Sequence, residues 1–257
     1  MSPRSIAAAL LVLVLPAAAQ PPLSGDWAMR AATQSETSMP ELEGARGVHL
    51  ALHTPGLNTR YVPLAHFEGL APEQLASSAP ARFRLRQDPG TFEFEGSFAG
   101  GRGRGRFNFT PDPAFAAELE RRGMQRPTPA QQFSMARHGV VLAYLDELAA
   151  QGYARPSTAA VDRAGMSGAD LVYLRQMGAL GYRLGTLEAL MRLSNSGVNP
   201  GYVRQMRALG YGELSAELLI RLRNHGVTAS FAEQMNARAG RRLAVEELVR
   251  IRSRGER

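Results

Sequence analysis

The chain contains no cysteine, no lysine and only one tryptophan. Without cysteine, the protein can form no disulfide, carry no cysteine-linked lipid and use no thiol in catalysis. Its folding stability must therefore come from core packing and helix capping. Because lysine is absent, arginine supplies the whole basic excess, and this composition by itself identifies no function.

Sequence motifs of common catalytic and nucleotide-binding sites are also missing. The sequence has no G-x-S-x-G elbow, no H-E-x-x-H zinc motif and no phosphate-binding loop with its lysine. His49 and His53 fall on one predicted strand, but their spacing is loose for a single metal ion. We therefore predict no catalytic residue, no cofactor and no metal site. A hydrolase whose carboxylates meet only in the fold remains open as an alternative.

Long apolar runs are absent except at the start of the chain. Residues 6–15 are apolar, Arg4 precedes them, and the small residues 17–19 follow. This pattern predicts a signal peptide over residues 1–19, with Gln20 as the new N-terminus. A retained anchor is the alternative, although the run is short for a bilayer. We expect an exported protein, periplasmic or secreted, with no integral membrane segment after signal removal.

The second half of the chain has a period of 29 residues. A fixed period of this length predicts stacked helical hairpins, each of which buries its apolar face against its neighbours. We predict about four such units over residues 137–257. Three apolar columns share the spacing: Tyr144, Tyr173, Tyr202 and Phe231; Leu148, Met177, Met206 and Met235; and Val161, Leu190, Leu219 and Leu248.

Helix boundaries within each unit follow from capping residues. Side chains that cap helix N-termini recur at equivalent positions, and glycines recur where helices end. The predicted N-caps are Asp170, Asn199 and Thr228 for the first helix, and Ser157, Thr186 and Ser215 for the second. The predicted terminating glycines include Gly152, Gly168, Gly181, Gly197, Gly210, Gly226 and Gly255.

The first half contains short segments in which apolar and polar residues alternate. Residues 82–86 and 92–95 flank the turn 88–90, and residues 102–106 alternate arginine with glycine. This pattern predicts strands with phenylalanines on one face and charged residues on the other. The glycine–arginine stretch suits a tightly twisted strand, and we expect no nucleic acid partner. We predict an antiparallel β domain over residues 20–124 and a linker over 125–136.

Together these patterns predict an α+β fold class. The expected architecture is a small antiparallel β unit followed by an all-α helical-hairpin repeat array, a short α-solenoid. Arrays of this kind offer extended surfaces for binding and are seldom catalytic. The architecture therefore favours a binding or adaptor protein over an enzyme.

Charge is divided unevenly along the chain, whose formal net charge is +7. Arg163, Arg192, Arg221 and Arg250 share the 29-residue spacing, but Glu188, Glu217 and Glu246 precede the last three by four residues. We interpret this row as intrahelical ion pairs. The less compensated candidates for partner binding are Arg175, Arg204, Arg207, Arg223, Arg241 and Arg242.

Two stretches of the sequence resemble known repeats and the β unit that precedes them. The repeat segments 197–211 and 218–228 read GVNPGYVRQMRALGY and LLIRLRNHGVT, and residues 90–96 and 103–107 read GTFEFEG and GRGRF. They resemble uncharacterised exported bacterial proteins and the extracytoplasmic tail of β-lactam-sensor-type membrane metallopeptidases. The resemblance implies a soluble accessory or sensory module. The zinc motif and membrane helices of the peptidase are missing here, so no proteolysis is implied.

From these features we expect a protein or peptide partner, with envelope signalling as the setting. One alternative is association with an anionic envelope polymer through the arginine-rich faces. Affinity that falls steeply with salt would distinguish this alternative from a groove for a protein.

Overall fold

A computed structural model describes residues 23–32, 46–52 and 59–255. The predicted signal peptide, its cleavage site and His53 therefore lie outside the described residues. No helix in the described ranges is long and apolar enough to cross a membrane.

Seven antiparallel strands form a single sheet that curls into a half-barrel. Their spatial order is β3-β2-β1-β7-β6-β5-β4, so that β1 and β7 lie at the centre although they are distant in sequence. The strands are β1 Ser24–Ala31, β2 Gly47–Leu52, β3 Thr59–Pro63, β4 Phe67–Glu68, β5 Pro80–Gln87, β6 Gly90–Ala99 and β7 Arg102–Pro111.

The predicted alternation in β5, β6 and β7 is confirmed. Phe83 lies opposite Phe94, and Phe94 lies opposite Phe107, with all three rings buried on the concave face. The charged residues face outward, where Arg84 pairs with Glu93 at 3.3 Å and both side chains stay about half exposed. Because exposed pairs contribute little, the buried aromatic face provides most of the stability of the sheet.

The glycines of β7 allow the sheet to curl around the single tryptophan. A Cβ at Gly103 would collide with the Trp27 and Phe98 rings, and one at Gly105 with the Glu95 backbone. The Trp27 indole lies in this space and donates a hydrogen bond to the Glu95 carbonyl at 3.1 Å. The predicted role of the glycine–arginine stretch as a closely packed strand is confirmed.

Ten α-helices follow the sheet among the described residues. Their bounds are α1 Pro113–Arg121, α2 Pro129–Arg137, α3 Leu142–Ala150, α4 Thr158–Met166, α5 Leu171–Ala179, α6 Leu187–Asn195, α7 Pro200–Met206, α8 Ala216–Asn224, α9 Ala229–Ala239 and α10 Val245–Ser253. A π-helical turn, Arg207–Tyr211, extends α7.

The six predicted N-caps from Ser157 to Thr228 are confirmed, because each side chain accepts a hydrogen bond from the third backbone N–H of its helix. The Asp170 and Asn199 bonds are both 2.8 Å long. The predicted glycines also end their helices in the left-handed region, with φ +84° at Gly210. Local sequence therefore determines where these helices begin and end.

Equivalent helices pack side by side in two layers. One layer contains α3, α5, α7 and α9; in the other, α2 packs against α4, α4 against α6, and α8 against α10. Three buried tyrosines bond to backbone carbonyls 25 residues further along: Tyr144 to Ala169 at 2.6 Å, Tyr173 to Val198 at 2.8 Å and Tyr202 to Val227 at 3.0 Å. The aromatic and methionine columns therefore lie in one continuous core.

The fold class predicted from the sequence, a small antiparallel β unit followed by a helical-hairpin repeat array, is wrong. The described residues form a seven-stranded curled sheet with ten helices, about 48% helical and 23% strand. The sheet is larger than predicted because β1 inserts between β2 and β7, and no local pattern reveals such long-range pairing. The helices also do not form a separate array, because α2 belongs to the core of the sheet.

Helix α2 occupies most of the stretch predicted as a linker. Its Phe133 stacks on Phe107 in the sheet core, whereas Met135 lies in the helical core. Its buried Gln132 donates hydrogen bonds to the Pro89 carbonyl at 3.0 Å and the Asp112 carbonyl at 2.8 Å. This helix therefore joins the two cores instead of spacing them apart.

Candidate functional site

Arg175, on α5, forms an ion pair with a carboxylate of α3, its neighbour in the same helical layer. Its Nε lies 3.0 Å from Glu147 Oε2 on α3. Hydrogen bonds from Gln151 and then from Arg175 lower the pKa of the Glu147 carboxyl. The guanidinium is thus already matched by a carboxylate within the protein.

Two further predicted arginines contact tyrosines near the ends of helices. Arg207 lies 5.8 Å from the centre of the Tyr182 ring and donates to the Leu180 carbonyl at 2.7 Å. Arg242 lies 6.0 Å from the centre of the Tyr211 ring and donates to the Gly210 carbonyl. Both guanidinium groups therefore donate hydrogen bonds to backbone carbonyls at helix ends and make cation–π contacts with tyrosine rings.

Arg223 packs on the aromatic column. Its guanidinium lies 5.1 Å from the centre of the Tyr202 ring, and the equivalent Arg252 lies 5.0 Å from the Phe231 ring. The buried Nε of Arg223 has no hydrogen-bond partner among the described residues. Arg223 is therefore packed within the protein, with its guanidinium over the Tyr202 ring.

Arg241 makes a two-point ion pair with Glu247, at 2.7 and 3.0 Å. The bond from Arg241, followed by one from the Ala244 backbone, lowers the pKa of Glu247 to about 2. Arg204 is the exception among the six candidates. It is exposed, and its guanidinium makes no ion pair in the part of the chain that the structure describes.

The structure therefore does not bring the six predicted arginines together as a binding site. Five of them contact carboxylates, carbonyls or aromatic rings of neighbouring elements. The sequence could not show these contacts because each one joins residues from different helices or turns. Only Arg204 presents a guanidinium without such a contact.

A surface groove on the other helical layer was missed by sequence reasoning. It consists of two adjoining depressions over α4, α6 and α8, about 660 and 420 Å³ in volume, which share Arg192 and Asn224. We call this feature the helical groove. Its lining is Arg163, Met166, Ser167, Glu188, Met191, Arg192, Asn195, Ser196, Glu217, Leu218, Ile220, Arg221, Asn224 and His225.

Apolar side chains line part of this groove. Met191 and Ile220 are buried, whereas Met166 is 56% exposed and is the exposed large apolar side chain among the described residues. Methionine is flexible and polarisable, and it adapts to partners of different shape. The lining thus combines two buried apolar side chains, Met191 and Ile220, with the exposed and flexible side chain of Met166.

Polar groups with the 29-residue spacing also line the groove. Asn195 and Asn224 are exposed, and their amides make no hydrogen bond within the described ranges. Arg163 and Arg221 are likewise exposed and make no ion pair there. The shared spacing of the asparagines and arginines was the signal that sequence reasoning could have used to find this groove.

Arg192 crosses the groove to pair with Glu217 on α8. The predicted intrahelical pair between Glu188 and Arg192 is wrong, because Arg192 pairs with a carboxylate of α8 instead. That carboxylate comes from α8, and a pattern along one helix cannot reveal a pair between two helices. This pair cancels its own two charges, while Arg163 and Arg221 outnumber the one remaining lining carboxylate, Glu188, and leave the groove with a net positive charge.

The polar groups that line the groove can bind a partner through hydrogen bonds and ion pairs. Free amides offer both donors and acceptors, and guanidinium groups bind carboxylates. His225, at one end, contacts Ser253 Oγ through Nδ1 at 3.1 Å. Across the described ranges, no group of three or more His, Cys, Asp or Glu side chains could hold a metal ion.

Comparison with known proteins was made at the level of sequence families, curated proteins and solved structures. No family model, no curated protein and no solved structure matches this chain. The resemblance to exported repeat proteins therefore stays a prediction from the sequence.

Proposed function

We propose that this protein is an exported, non-catalytic binding protein that recognises an extended peptide segment of a protein partner. The observation that carries the proposal is the helical groove, with its unpaired asparagine amides at equivalent positions on α6 and α8. Export rests on the apolar run and small residues at the start of the sequence.

The spacing of the groove suits an extended chain. Neighbouring packed helices lie about 8–10 Å apart. A peptide in the extended polyproline II conformation advances about 3.1 Å per residue with three residues per turn, so one helix step spans about one turn. Asn195 and Asn224 then pair with main-chain groups of residues three apart, which face the same side in this conformation and give affinity with little dependence on sequence.

Side-chain preference would come from charge and apolar contact. Arg163 and Arg221 pair with no carboxylate in the ranges that the structure describes, so they favour acidic residues on the peptide. Met166 and Met191 lie between the polar groups and favour one apolar residue. The proposed ligand is therefore an extended segment that combines an apolar residue with flanking acidic ones.

A peptide display library selected on the mature chain tests this proposal. We expect enrichment of acidic sequences with an apolar residue, and micromolar dissociation constants for the selected peptides. Replacing both groove amides, Asn195→Ala with Asn224→Ala, should weaken binding at least tenfold. Gln205→Ala is the matched control, because Gln205 is an exposed amide on α7 in the other layer.

Two outcomes would count against the proposal. One is a library that yields no enriched sequences. The other is a selected peptide that binds the double asparagine variant as tightly as the native chain.

Association with an anionic envelope polymer has less support. Five of the six arginines that suggested it are engaged inside the protein. Polymer binding would show an affinity that falls steeply with salt and little effect of the asparagine changes.

A further inference from the structure

A second cleft, of about 200 Å³, lies where the sheet meets the first helices. Its apolar wall comes from β2, β5 and β6, and its polar rim from β3, α2 and the cap of α5. The apolar residues are Leu50, Leu52, Leu85 and Phe92, and the polar residues are Thr59, Arg60, Arg137, His138 and Asp170. This junction cleft is separate from the helical groove.

The positively charged side chain of Arg60 lies at the rim of the junction cleft. It is partly buried, and its Nη1 donates to the Ala136 carbonyl at 3.2 Å. When the amide oxygen of Gln87 faces Arg60, it accepts a hydrogen bond from Arg60 Nη2. The Gln87 amide nitrogen then donates to the Ala136 carbonyl. These partners are neutral, so they position the guanidinium without neutralising its charge.

The electrostatic balance at Arg60 favours an added anion. Burial lowers the pKa of Arg60 to about 10, and the charge of Asp170 opposes that shift only in part. Arg137 adds a second positive charge at the rim. Burial also lowers the pKa of His138, which is therefore neutral at pH 7. The cleft thus contains two cations against one exposed carboxylate.

We propose that the junction cleft binds a small carboxylic acid anion that carries an apolar group about the size of a benzene ring. An engineered apolar cavity of about 150 Å³ accommodates benzene, so about 200 Å³ holds a ring with a carboxylate. The guanidinium of Arg60 binds the planar carboxylate through two parallel N–H bonds. Leu50, Leu85 and Phe92 then cover the ring.

A monoanion fits this site better than a phosphate dianion. Asp170 stands on the rim, where it repels a second negative charge. The apolar wall also removes water from the ligand, which penalises a dianion far more than a monoanion. The carboxylate is therefore the anion class that the lining favours.

Titration of the mature chain with benzoate, followed by NMR, tests this assignment. Benzamide replaces the charge with a neutral amide, and acetate retains the charge without the ring. We expect millimolar binding of benzoate, with benzamide and acetate each at least tenfold weaker. Absence of benzoate binding at 50 mM, or equal binding of benzamide, overturns the proposal.

Two variants locate the site. Arg60→Gln keeps a polar side chain but removes the charge and the guanidinium, and it should weaken benzoate binding at least tenfold. Arg84→Gln, on the outer face of the sheet, is the matched control and should leave binding unchanged. If Arg60→Gln fails to fold, Thr59→Trp, at an exposed position on the rim, should block the cleft and abolish binding. Unchanged affinity in either cleft variant overturns the proposal.

Discussion

Arginine has different partners in the sheet and in the helical region. In the sheet, Arg82, Arg84 and Arg86 lie opposite carboxylates on neighbouring strands, in water. Among the helices, Arg207, Arg223 and Arg242 lie over aromatic rings, and two of the three also bond to carbonyls. The helical region also has ion pairs, such as Arg175 with Glu147, so it adds packing on aromatic rings to the screened charge that arginine contributes in the sheet.

The two regions also differ in how their cores are built. The sheet core is a cluster of phenylalanine rings around Trp27, whereas the helical core alternates tyrosine, methionine and leucine along equivalent helices. Tyrosine adds a hydrogen bond to each helical step that phenylalanine cannot supply. Rigid ring packing thus dominates one core, and directed bonds supplement packing in the other.

The largest expected effect comes from opening the aromatic cluster. Phe94→Ala should reduce the free energy of unfolding by about 3–5 kcal/mol, because Phe94 is 1% exposed and stacks on Phe83. Chemical denaturation followed by circular dichroism measures the change. A loss below about 1 kcal/mol would show that the rings are not tightly packed.

A smaller effect is expected from a helix-ending glycine. Gly210 has φ +84°, which a β-branched residue adopts only with strain. Gly210→Val should destabilise the chain by about 1–3 kcal/mol. An unchanged melting temperature would contradict the turn geometry assigned to this position.

The loss of a tyrosine hydroxyl should reduce the free energy of unfolding by less than the Gly210→Val change does. Tyr173→Phe removes the bond to the buried Val198 carbonyl and should reduce stability by about 1–2 kcal/mol. The same change at Tyr211, whose hydroxyl contacts Asn236 in a partly buried setting, should have a smaller effect. Equal effects at both positions would contradict the assigned bonds.

The comparison of arginines can be tested directly with one substitution in each region. Arg223→Gln should reduce stability by about 0.5–2 kcal/mol through loss of the contact with Tyr202. Arg84→Gln should change stability by no more than about 0.5 kcal/mol. Denaturation at two salt concentrations is the measurement. A loss at Arg223 that vanishes in 0.5 M salt would contradict its assignment as packing.

The smallest expected effect is a pH dependence near the end of the helical region. The pKa of Glu247 falls from an ordinary value of 4.5 to about 2 on folding, so its contribution is present above pH 4.5 and is lost as the pH falls toward 2. Glu247→Gln should flatten the acid limb of the stability curve, mainly at low salt. An unaltered acid limb would show that the pair with Arg241 does not persist in solution.

Local features were predictable from the sequence, and long-range ones were not. Alternation placed Phe83 and Phe94 on one face, and the caps from Ser157 to Thr228 were found because each depends on neighbours three residues away. The central place of β1 was missed because it depends on pairing with β7, about 80 residues later. Helix α2 was missed because two prolines suggested a linker, although Thr128 and Gln131 form a capping box there.

The candidate site was also not predictable from the sequence, because it depends on contacts between different helices. The arginines chosen from the sequence were those outside the row in which Glu precedes Arg by four residues, but five of the six find partners on other helices or turns. The groove amides at Asn195 and Asn224 were overlooked because each is unremarkable in its own helix. Their 29-residue spacing was the one available signal, and the fold shows that both line the same groove.

A crystal structure of the mature chain with a library-selected peptide would show whether the helical groove receives an extended peptide. We expect the peptide to lie across α4, α6 and α8, with its main chain bonded to Asn195 and Asn224. A peptide bound to the sheet, or to the opposite helical layer, would contradict it.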